Sequence, residues 1–396
     1  MLKATISHRG GSGMRRKIGL CIAFKGTNYG MHLQGYATQQ VLDQAGFDTE
    51  IIDYHSGKEK GIRWSTGAVR VAFTKIVRTA KKKLHKTRKQ DNLHQENSNL
   101  RDAVSEQFRS RKLHNIVHVE GFSALRRKSA DYFAVIVGSD QIWLPGVAFS
   151  NFFTLKFASQ GVRRISYATS LGVSSYPNYA KKAAGDFWKQ IDFLSVREQQ
   201  GKDIIQSIVD IPVEVVADPT YLFTKDEWEE LIPPENVIKP GYILCYFLGD
   251  SELIKQYARK FADSRGARLV SILSNECNSD DSKYADEVLI GKSPEEFVNL
   301  IRYADYVLTD SFHGLAFSVI NQKQFLVFYR KRTDVKESRN SRIDNIVRSW
   351  DIEDRLVREP EKLEFPTNDI DYAAVIKNVE ALREKSLAFL DRALNS

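Results

Sequence analysis

Apolar positions along this chain fall into two alternating patterns. "KIGLCIAF" (Lys17 to Phe24), "FAVIV" (Phe133 to Val137), "YILCYFLG" (Tyr242 to Gly249) and "QFLVFY" (Gln324 to Tyr329) are short runs, apolar almost throughout. Strands buried on both faces of a parallel sheet read this way. Between such runs the apolar spacing turns helical. In "HLQGYATQQVLDQAG", Leu33, Tyr36, Ala37 and Val41 share a face and Gly46 closes the segment, and "DTEIIDY" follows as a strand. Strand, loop, helix and strand make a βαβ unit. The rhythm continues with "RRISYATSLGV", a helix over Tyr179 to Gln190, "IDFLSVRE" and "VEVVADPTYLF".

Three prolines between Leu231 and Gly241 predict a linker. Beyond it the rhythm restarts. "ELIKQYARKFADSRG" is a helix with Gly266 as its C-terminal stop, and "RLVSILS" is a strand. "SPEEFVNLIRYA" carries a capping box, with Ser293 at the N-cap, Pro294 at the first helical position and Glu296 two further on. "DYVLTD" is a strand, "FHGLAFSVINQ" a helix, and Tyr372 to Leu394 a long amphipathic helix. The fold class this predicts is α/β, with two Rossmann-like domains facing across a cleft. Residues 1–16 are expected to be a disordered leader. Residues 17–230 form the N-terminal domain, interrupted by a basic, helical insertion at 57–127. Residues 231–241 are the linker, 242–365 the C-terminal domain, and 366–396 a terminal helix. Such folds bind ligands outside the carboxyl ends of their strands.

Length and composition agree with this picture. A chain of 396 residues exceeds one ordinary core. Mean hydropathy is −0.38, and no apolar run approaches the roughly 20 residues of a membrane span. The basic N-terminus lacks the apolar centre of a secretory signal, so a cytoplasmic location is expected. Cys21, Cys245 and Cys277 have neither disulfide nor zinc-ligand spacing and are expected to be structural thiols. The net charge of +8 is concentrated, because Lys75, Arg78, Lys81, Lys82, Lys83, Lys86, Arg88 and Lys89 crowd one stretch. A solvated surface, a nucleic-acid patch and a contact with anionic lipid compete for it. Trp64 and Phe73 do not interleave with the charges as a base-stacking platform would, which argues against nucleic acid.

The stretch "VLTDSFHGLAFSVINQ" brings chemistry to a strand-to-helix junction. Asp310 or Ser311 can cap the helix, His313 lies in its first turn, and Gly314 removes a side chain just behind. Free N–H groups and the positive end of the helix dipole attract anions there. Position alone leaves two readings open, a half-buried capping histidine or a proton donor beside a bound anion. Arg197 after "FLSV", Asp218 after "VEVVA", and Ser139-Asp140 after "FAVIV" also stand at strand ends. Asn28, Tyr29 and Gly30 belong to a Gly/Asn-rich first loop that lacks the G-x-G-x-x-G fingerprint. Walker A, H-E-x-x-H and G-x-S-x-G are absent too.

"NYGMHLQGYATQQVL", "VGSDQIW", "SYATSLG", "SVRE", "ADPTYL", "LTDSFHGLAFS" and "NSRIDNIV" occur in this order. From Lys17 to about Arg358 the chain thereby resembles the polysaccharide pyruvyl transferase family. The resemblance implies a fold like the two-domain GT-B glycosyltransferases. It also implies transfer of pyruvate from phosphoenolpyruvate to sugar hydroxyls, giving a pyruvate ketal on a cell-surface polysaccharide or its lipid-linked precursor. In that frame the N-terminal domain is the acceptor side and the C-terminal domain the donor side. His313 is the acid and Arg197 the anion clamp. Ser311, Gly314, Arg330 and Lys331 bind the donor phosphate. Asn28, Tyr29, Gly30, Ser139, Asp140, Trp143, Tyr167 and Asp218 line the cleft, with the aromatic residues offering sugar-stacking faces or core packing. Phosphoenolpyruvate is a co-substrate, and no cofactor or metal is expected, since no carboxylate cluster asks for one. The Lys75 to Lys89 stretch would hold the enzyme at the inner membrane face. Many family members read Arg-Leu-His-Gly where this chain reads Ser311-Phe312-His313-Gly314. Either Arg330, Arg332 or Arg339 replaces the missing cation, or the donor differs. A glycosyltransferase using a nucleotide sugar and a non-catalytic glycan-binding relative are the alternatives.

Overall fold

The computed structural model describes residues 15–56, 88–274, 281–330 and 341–396. Among them, thirteen strands form two sheets. The first holds β1 (Lys17–Cys21), β2 (Asp48–His55), β3 (Ile116–Glu120), β4 (Ala134–Gly138), β5 (Arg163–Thr169), β6 (Phe193–Val196) and β7 (Glu214–Val215). Their order is β3-β2-β1-β4-β5-β6-β7, all parallel. The second holds β8 (Tyr242–Tyr246), β9 (Arg268–Ile272), β10 (Glu287–Leu289), β11 (Tyr306–Thr309), β12 (Gln324–Phe328) and β13 (Leu356–Val357). Its order is β10-β9-β8-β11-β12-β13, also all parallel. Each sheet thus repeats the 3-2-1-4-5-6 order of a dinucleotide-binding fold, whose switch point lies between its first and fourth strands. The two Rossmann-like lobes expected from the sequence are present.

The helices are α1 (Tyr29–Gln44), α2 (Arg88–Lys112), α3 (Phe122–Ser129), α4 (Asn178–Trp188), α5 (Gln199–Gln206) and α6 (Lys225–Leu231) in the first part of the chain. They are followed by α7 (Glu252–Arg265), α8 (Pro294–Tyr303), α9 (Phe312–Ile320), α10 (Ser341–Ser349) and α11 (Tyr372–Asn395). The capping box of α8 forms as read, Ser293 accepting from the Glu296 N–H and Glu296 from that of Ser293. Gly266 ends α7 in the left-handed region, φ 59°. Cys21 and Cys245 are buried free thiols in the leading strand of each sheet, while Cys277 lies outside the described residues. Among the described residues, no helix is long and apolar enough to cross a membrane.

One boundary differs from expectation. Residues 57–127 are not wholly an insertion, because β3 extends the first sheet in register from Ile51–Ile116 to His55–Glu120, and α3 follows it. As an edge strand it is largely solvated, so "IVHVE" lacks the continuous apolar signature of its neighbours. Residues 57–87, with most of the basic stretch, lie outside the described residues, as does the expected leader up to Met14. The 231–241 segment is tied to the second lobe, since Asn299 donates to Pro233 O at 3.1 Å and Arg302 to Ile232 O at 3.1 Å. Finally, α11 crosses back to the first lobe, where Arg163 donates to Ala393 O at 3.0 Å and Phe389 packs on Tyr167.

Candidate functional site

Strand ends from both lobes meet at Asp218. This residue follows β7 and caps a short 3₁₀ turn, Pro219–Leu222. Its side chain is fully buried. Oδ1 accepts from Thr220 N at 3.1 Å and Thr220 Oγ1 at 2.9 Å. Oδ2 accepts from Arg197 Nη1 at 2.8 Å and Ser139 Oγ at 2.9 Å. Burial alone would raise the pKa of such a carboxyl. His313, Arg197 and the Thr220 N–H outweigh it and hold Asp218 well below the usual carboxylate range.

His313 arrives from the other lobe. Thr309, the last residue of β11, fixes the turn that delivers it, with Oγ1 donating to Tyr246 O at 2.7 Å and accepting from Ser311 N at 3.0 Å. Asp310 braces the neighbouring loop, accepting from Leu248 N at 2.6 Å and Gly249 N at 2.7 Å. Ser311 is therefore the N-cap, accepting from Gly314 N at 3.3 Å. His313 is only 6% exposed. Its Nε2 stands 3.8 Å from Asp218 Oδ1, an ion-pair distance longer than a hydrogen bond, and among the described residues this nitrogen has no hydrogen-bond partner. The Nδ1 edge faces Gly30, at the start of α1, so closely that a Cβ there would come within 1.8 Å of it. The ring is thus held between a buried anion and the first βα loop of the opposite lobe.

Arg197 does not present a free fork. Its side chain is 1% exposed, with Nη1 on Asp218, Nε 3.5 Å from Glu198 Oε1, and Nη2 3.6 Å from Asp140 Oδ1. The guanidinium lies 4.5 Å from the centre of the Phe312 ring. Burial would lower its pKa, but Asp218, Glu198 and Asp140 raise it. Arg197 is thus the counter-ion of Asp218, not an open anion clamp. Among the described residues, Nη2 alone of its nitrogens lacks a hydrogen-bond partner.

The other expected site residues divide. Ser139 is in the network, and its N–H is held by Gln34 Oε1 at 3.2 Å. Asp140 adjoins it at φ 68°. Asn28 caps α1, accepting from Met31 N at 3.2 Å. Gly314 is required by packing rather than by a ligand, because a Cβ would sit 2.4 Å from Thr309 Oγ1. Arg330 lines the loop after β8, 3.1 Å from where a Gly249 Cβ would be. Lys331, Arg332 and Arg339 lie outside the described residues. The aromatic stacking faces are corrected. Trp143 is core, with Nε1 donating to Phe153 O at 2.9 Å. Tyr167 is core, donating to Ala217 O at 3.0 Å. Tyr29 stacks on Phe297 at 4.6 Å, inside the packing between lobes. Each ring is closed off because large apolar faces meet there, which the position of a residue in sequence does not reveal.

Gln34, Thr220, Glu198 and Ser170 were not singled out by the sequence. Ser170 Oγ donates to Glu198 Oε1 and so extends the network one residue outward. All four could have been found, because they sit inside the motifs "NYGMHLQGYATQQVL", "ADPTYL", "SVRE" and "SYATSLG". Among the described residues, the set of three metal-ligating side chains that converge is Asp53, His55 and His118, on β2 and β3 rather than in this network.

A two-lobed parallel α/β protein with a buried His–Asp–Arg chain spanning its lobes is the class that fold and geometry define. A family model described as polysaccharide pyruvyl transferase matches residues 28–332, and the chain belongs to that family of transferases. No curated protein matches it. Among solved structures, it is similar to a UDP-GlcNAc 2-epimerase from Methanocaldococcus jannaschii in complex with UDP-GlcNAc and UDP. Identity is 13% and the TM-score 0.48, over 96% of this chain and 99% of that one. A putative UDP-N-acetylglucosamine 2-epimerase from Listeria monocytogenes is 12% identical, TM-score 0.47, over 97% and 92%. An E. coli heptosyltransferase is 12% identical, TM-score 0.36, over 79% and 88%.

Proposed function

We propose that the protein transfers pyruvate from phosphoenolpyruvate to two hydroxyls of a sugar, forming a cyclic ketal and releasing inorganic phosphate. The observation that carries this is His313 held 3.8 Å from a buried, ionised Asp218, within the stretch that defines the family. Asp218 supplies the counter-charge for the ring through Nε2, and Nδ1, on the Gly30 side, meets the substrate. A proton from His313 adds to the vinyl CH₂, leaving C2 electrophilic. One sugar hydroxyl adds to C2 and returns a proton to the imidazole. The second hydroxyl then bonds to C2 as the C2–O bond to phosphate breaks, and its proton leaves with the phosphate. Helix α9 contributes its N-terminal N–H groups to the anionic donor, and Arg330 stands in for the cation that Ser311 replaces. Substrate reaches Nδ1 when the lobes part at Gly30.

Phosphate release from phosphoenolpyruvate in the presence of a glycan extract tests the reading. His313→Ala, folded by circular dichroism, should lose about 10²-fold or more of the rate. Stabilisation of the protein by a nucleoside diphosphate but not by phosphoenolpyruvate, with no phosphate release, would instead indicate a nucleotide-sugar enzyme. The acceptor in this reading is an oligosaccharide, free or lipid-linked. The Lys75 to Lys89 stretch holds the enzyme at anionic headgroups from the cytoplasmic side. Flotation with vesicles containing anionic lipid, but not with neutral ones, is the expected result, and indifference to lipid charge removes it.

A further inference from the structure

Asp53 and His55 lie two residues apart on β2, and His118 on β3 pairs with Asp53 in register. Alternation along a strand places all three side chains on one face of the sheet. His55 Nε2 is 3.2 Å from Asp53 Oδ1, His118 Nδ1 is 3.4 Å from Asp53 Oδ2, and the ligand atoms all lie within 4.8 Å of one another. Bonds of about 2.0–2.2 Å in tetrahedral geometry leave ligand atoms roughly 3.3–3.6 Å apart. The two contacts to Asp53 are close to that spacing, each on a different carboxylate oxygen, so side-chain rotation alone would gather one oxygen and both ring nitrogens around a single ion.

A cation already occupies this set. Lys25, in the loop after β1, places Nζ 2.6 Å from Asp53 Oδ1 and 3.0 Å from His55 Nε2. An ammonium has donors only, so the contact with His55 requires a lone pair on Nε2. Asp53 Oδ1 and His55 Nε2 therefore do not hydrogen-bond to each other. They are two acceptors turned toward the same positive charge, as two metal ligands are. An ordinary surface ion pair between Lys25 and Asp53 would account for the 2.6 Å contact. It would not require two imidazoles to close on the same carboxylate. The Lys25 side chain is half exposed, as are His55 and His118, so the ammonium can swing into solvent and the site can be reached.

We propose that Asp53, His55 and His118 form a binding site for a divalent transition metal of the zinc type, which displaces the Lys25 ammonium. Imidazole and carboxylate suit such an ion. Three protein ligands leave a coordination position open to solvent, the arrangement of sites that bind a further molecule. The site stands on β2 and β3, at the opposite edge of the first sheet from β6 and β7, and the inference is independent of pyruvyl transfer.

The test is titration of the chelator-washed full chain with Zn²⁺ by calorimetry, and with Co²⁺ by visible absorption. One ion per chain is expected, with the intense d–d bands of tetrahedral cobalt. His118→Ala and Asp53→Asn should weaken binding by more than the roughly 10–100-fold that loss of even an outer-shell partner costs. Lys25→Met should tighten it, since the competing ammonium is gone. An exposed change such as His118→Ala leaves the fold intact, which circular dichroism verifies. Zn²⁺ binding that is unchanged in both His118→Ala and Asp53→Asn overturns the proposal. Absence of binding to the wild-type chain, whatever Lys25→Met does, also overturns it.

Discussion

Arg197 keeps a full positive charge where its side chain is 1% exposed, and three carboxylates make that tolerable. Removing one member of a buried pair leaves the other uncompensated, at a cost of about 3–5 kcal/mol. Arg197→Met should therefore lower unfolding stability by that amount in urea, because Asp218 keeps its burial and loses its closest cation. Arg197→Lys should recover part of the loss, as an ammonium reaches Asp218 but reproduces neither the Glu198 contact nor the face on Phe312. A Met variant within about 1 kcal/mol of wild type would mean that Asp218 is balanced by other groups. Strand ends were legible in the sequence at Ser139, Arg197 and Asp218, because apolar runs stop there. Their pairing was not. Ser139 and Asp218 are 79 residues apart and share one hydrogen bond, a relation that exists only once the sheet order places β4 and β7 on one side of β1. The reading of Arg197 as an anion clamp failed for the same reason, since nothing local shows that a carboxylate from another strand has already taken its fork.

At the scale of an element, α1 is the segment on which both lobes depend. Its apolar stripe was legible, but its polar residues look like a solvated face and are not one. His32, Gln34, Thr38 and Gln39 are all buried. Gln39 and His32 find partners outside the helix, His114 O at 2.9 Å and Gly26 O at 2.9 Å, while Thr38 bonds Gln34 O one turn back at 2.8 Å. Gly30 is the tightest point. Gly30→Ala must push the His313 ring aside, so overpacking of about 1–3 kcal/mol is expected, together with loss of phosphate release out of proportion to the stability change. An alanine variant of normal stability and normal rate would show that the lobes do not close there. His32 makes a separate, pH-dependent prediction. Burial lowers its pKa from 6.5 to about 4, against the Gly26 carbonyl that raises it. Between those values the unfolded chain binds a proton that the folded chain does not. Stability should thus fall as pH drops through that window, by roughly 2 kcal/mol between about pH 7 and about pH 5. His32→Gln should flatten this slope in urea titrations at the two pH values. An unchanged slope would assign the acid sensitivity to other groups.

For the whole molecule, the question is whether two lobes unfold as one. The sequence suggested two lobes joined by a proline-marked linker. One hydrophobic cluster instead runs from Ile18 and Leu33 in the first lobe through Trp228 to Phe317 and Val327 in the second, and on to Phe389 and Leu390 of α11. Trp228 and Phe317 meet edge to face at 5.0 Å, and Trp228 Nε1 donates to Thr220 O at 2.8 Å. Helix α11 then closes the circuit. It follows the second sheet in the chain, yet Ser386 Oγ accepts from the buried Ala217 N–H at 2.8 Å, one residue before Asp218. Ser386→Ala leaves that donor without its partner, which costs about 1–3 kcal/mol, and frees the turn that aims Asp218 at His313. A shared core predicts a single calorimetric transition for wild type, shifted downward as a whole in Ser386→Ala, with catalytic rate falling alongside. Two resolved transitions, with only the first-lobe one responding to Ser386→Ala, would make α11 a local brace and the lobes independent. A single shifted transition with an unimpaired rate would separate the two roles of Ser386, keeping it in the core but removing it from the alignment of Asp218.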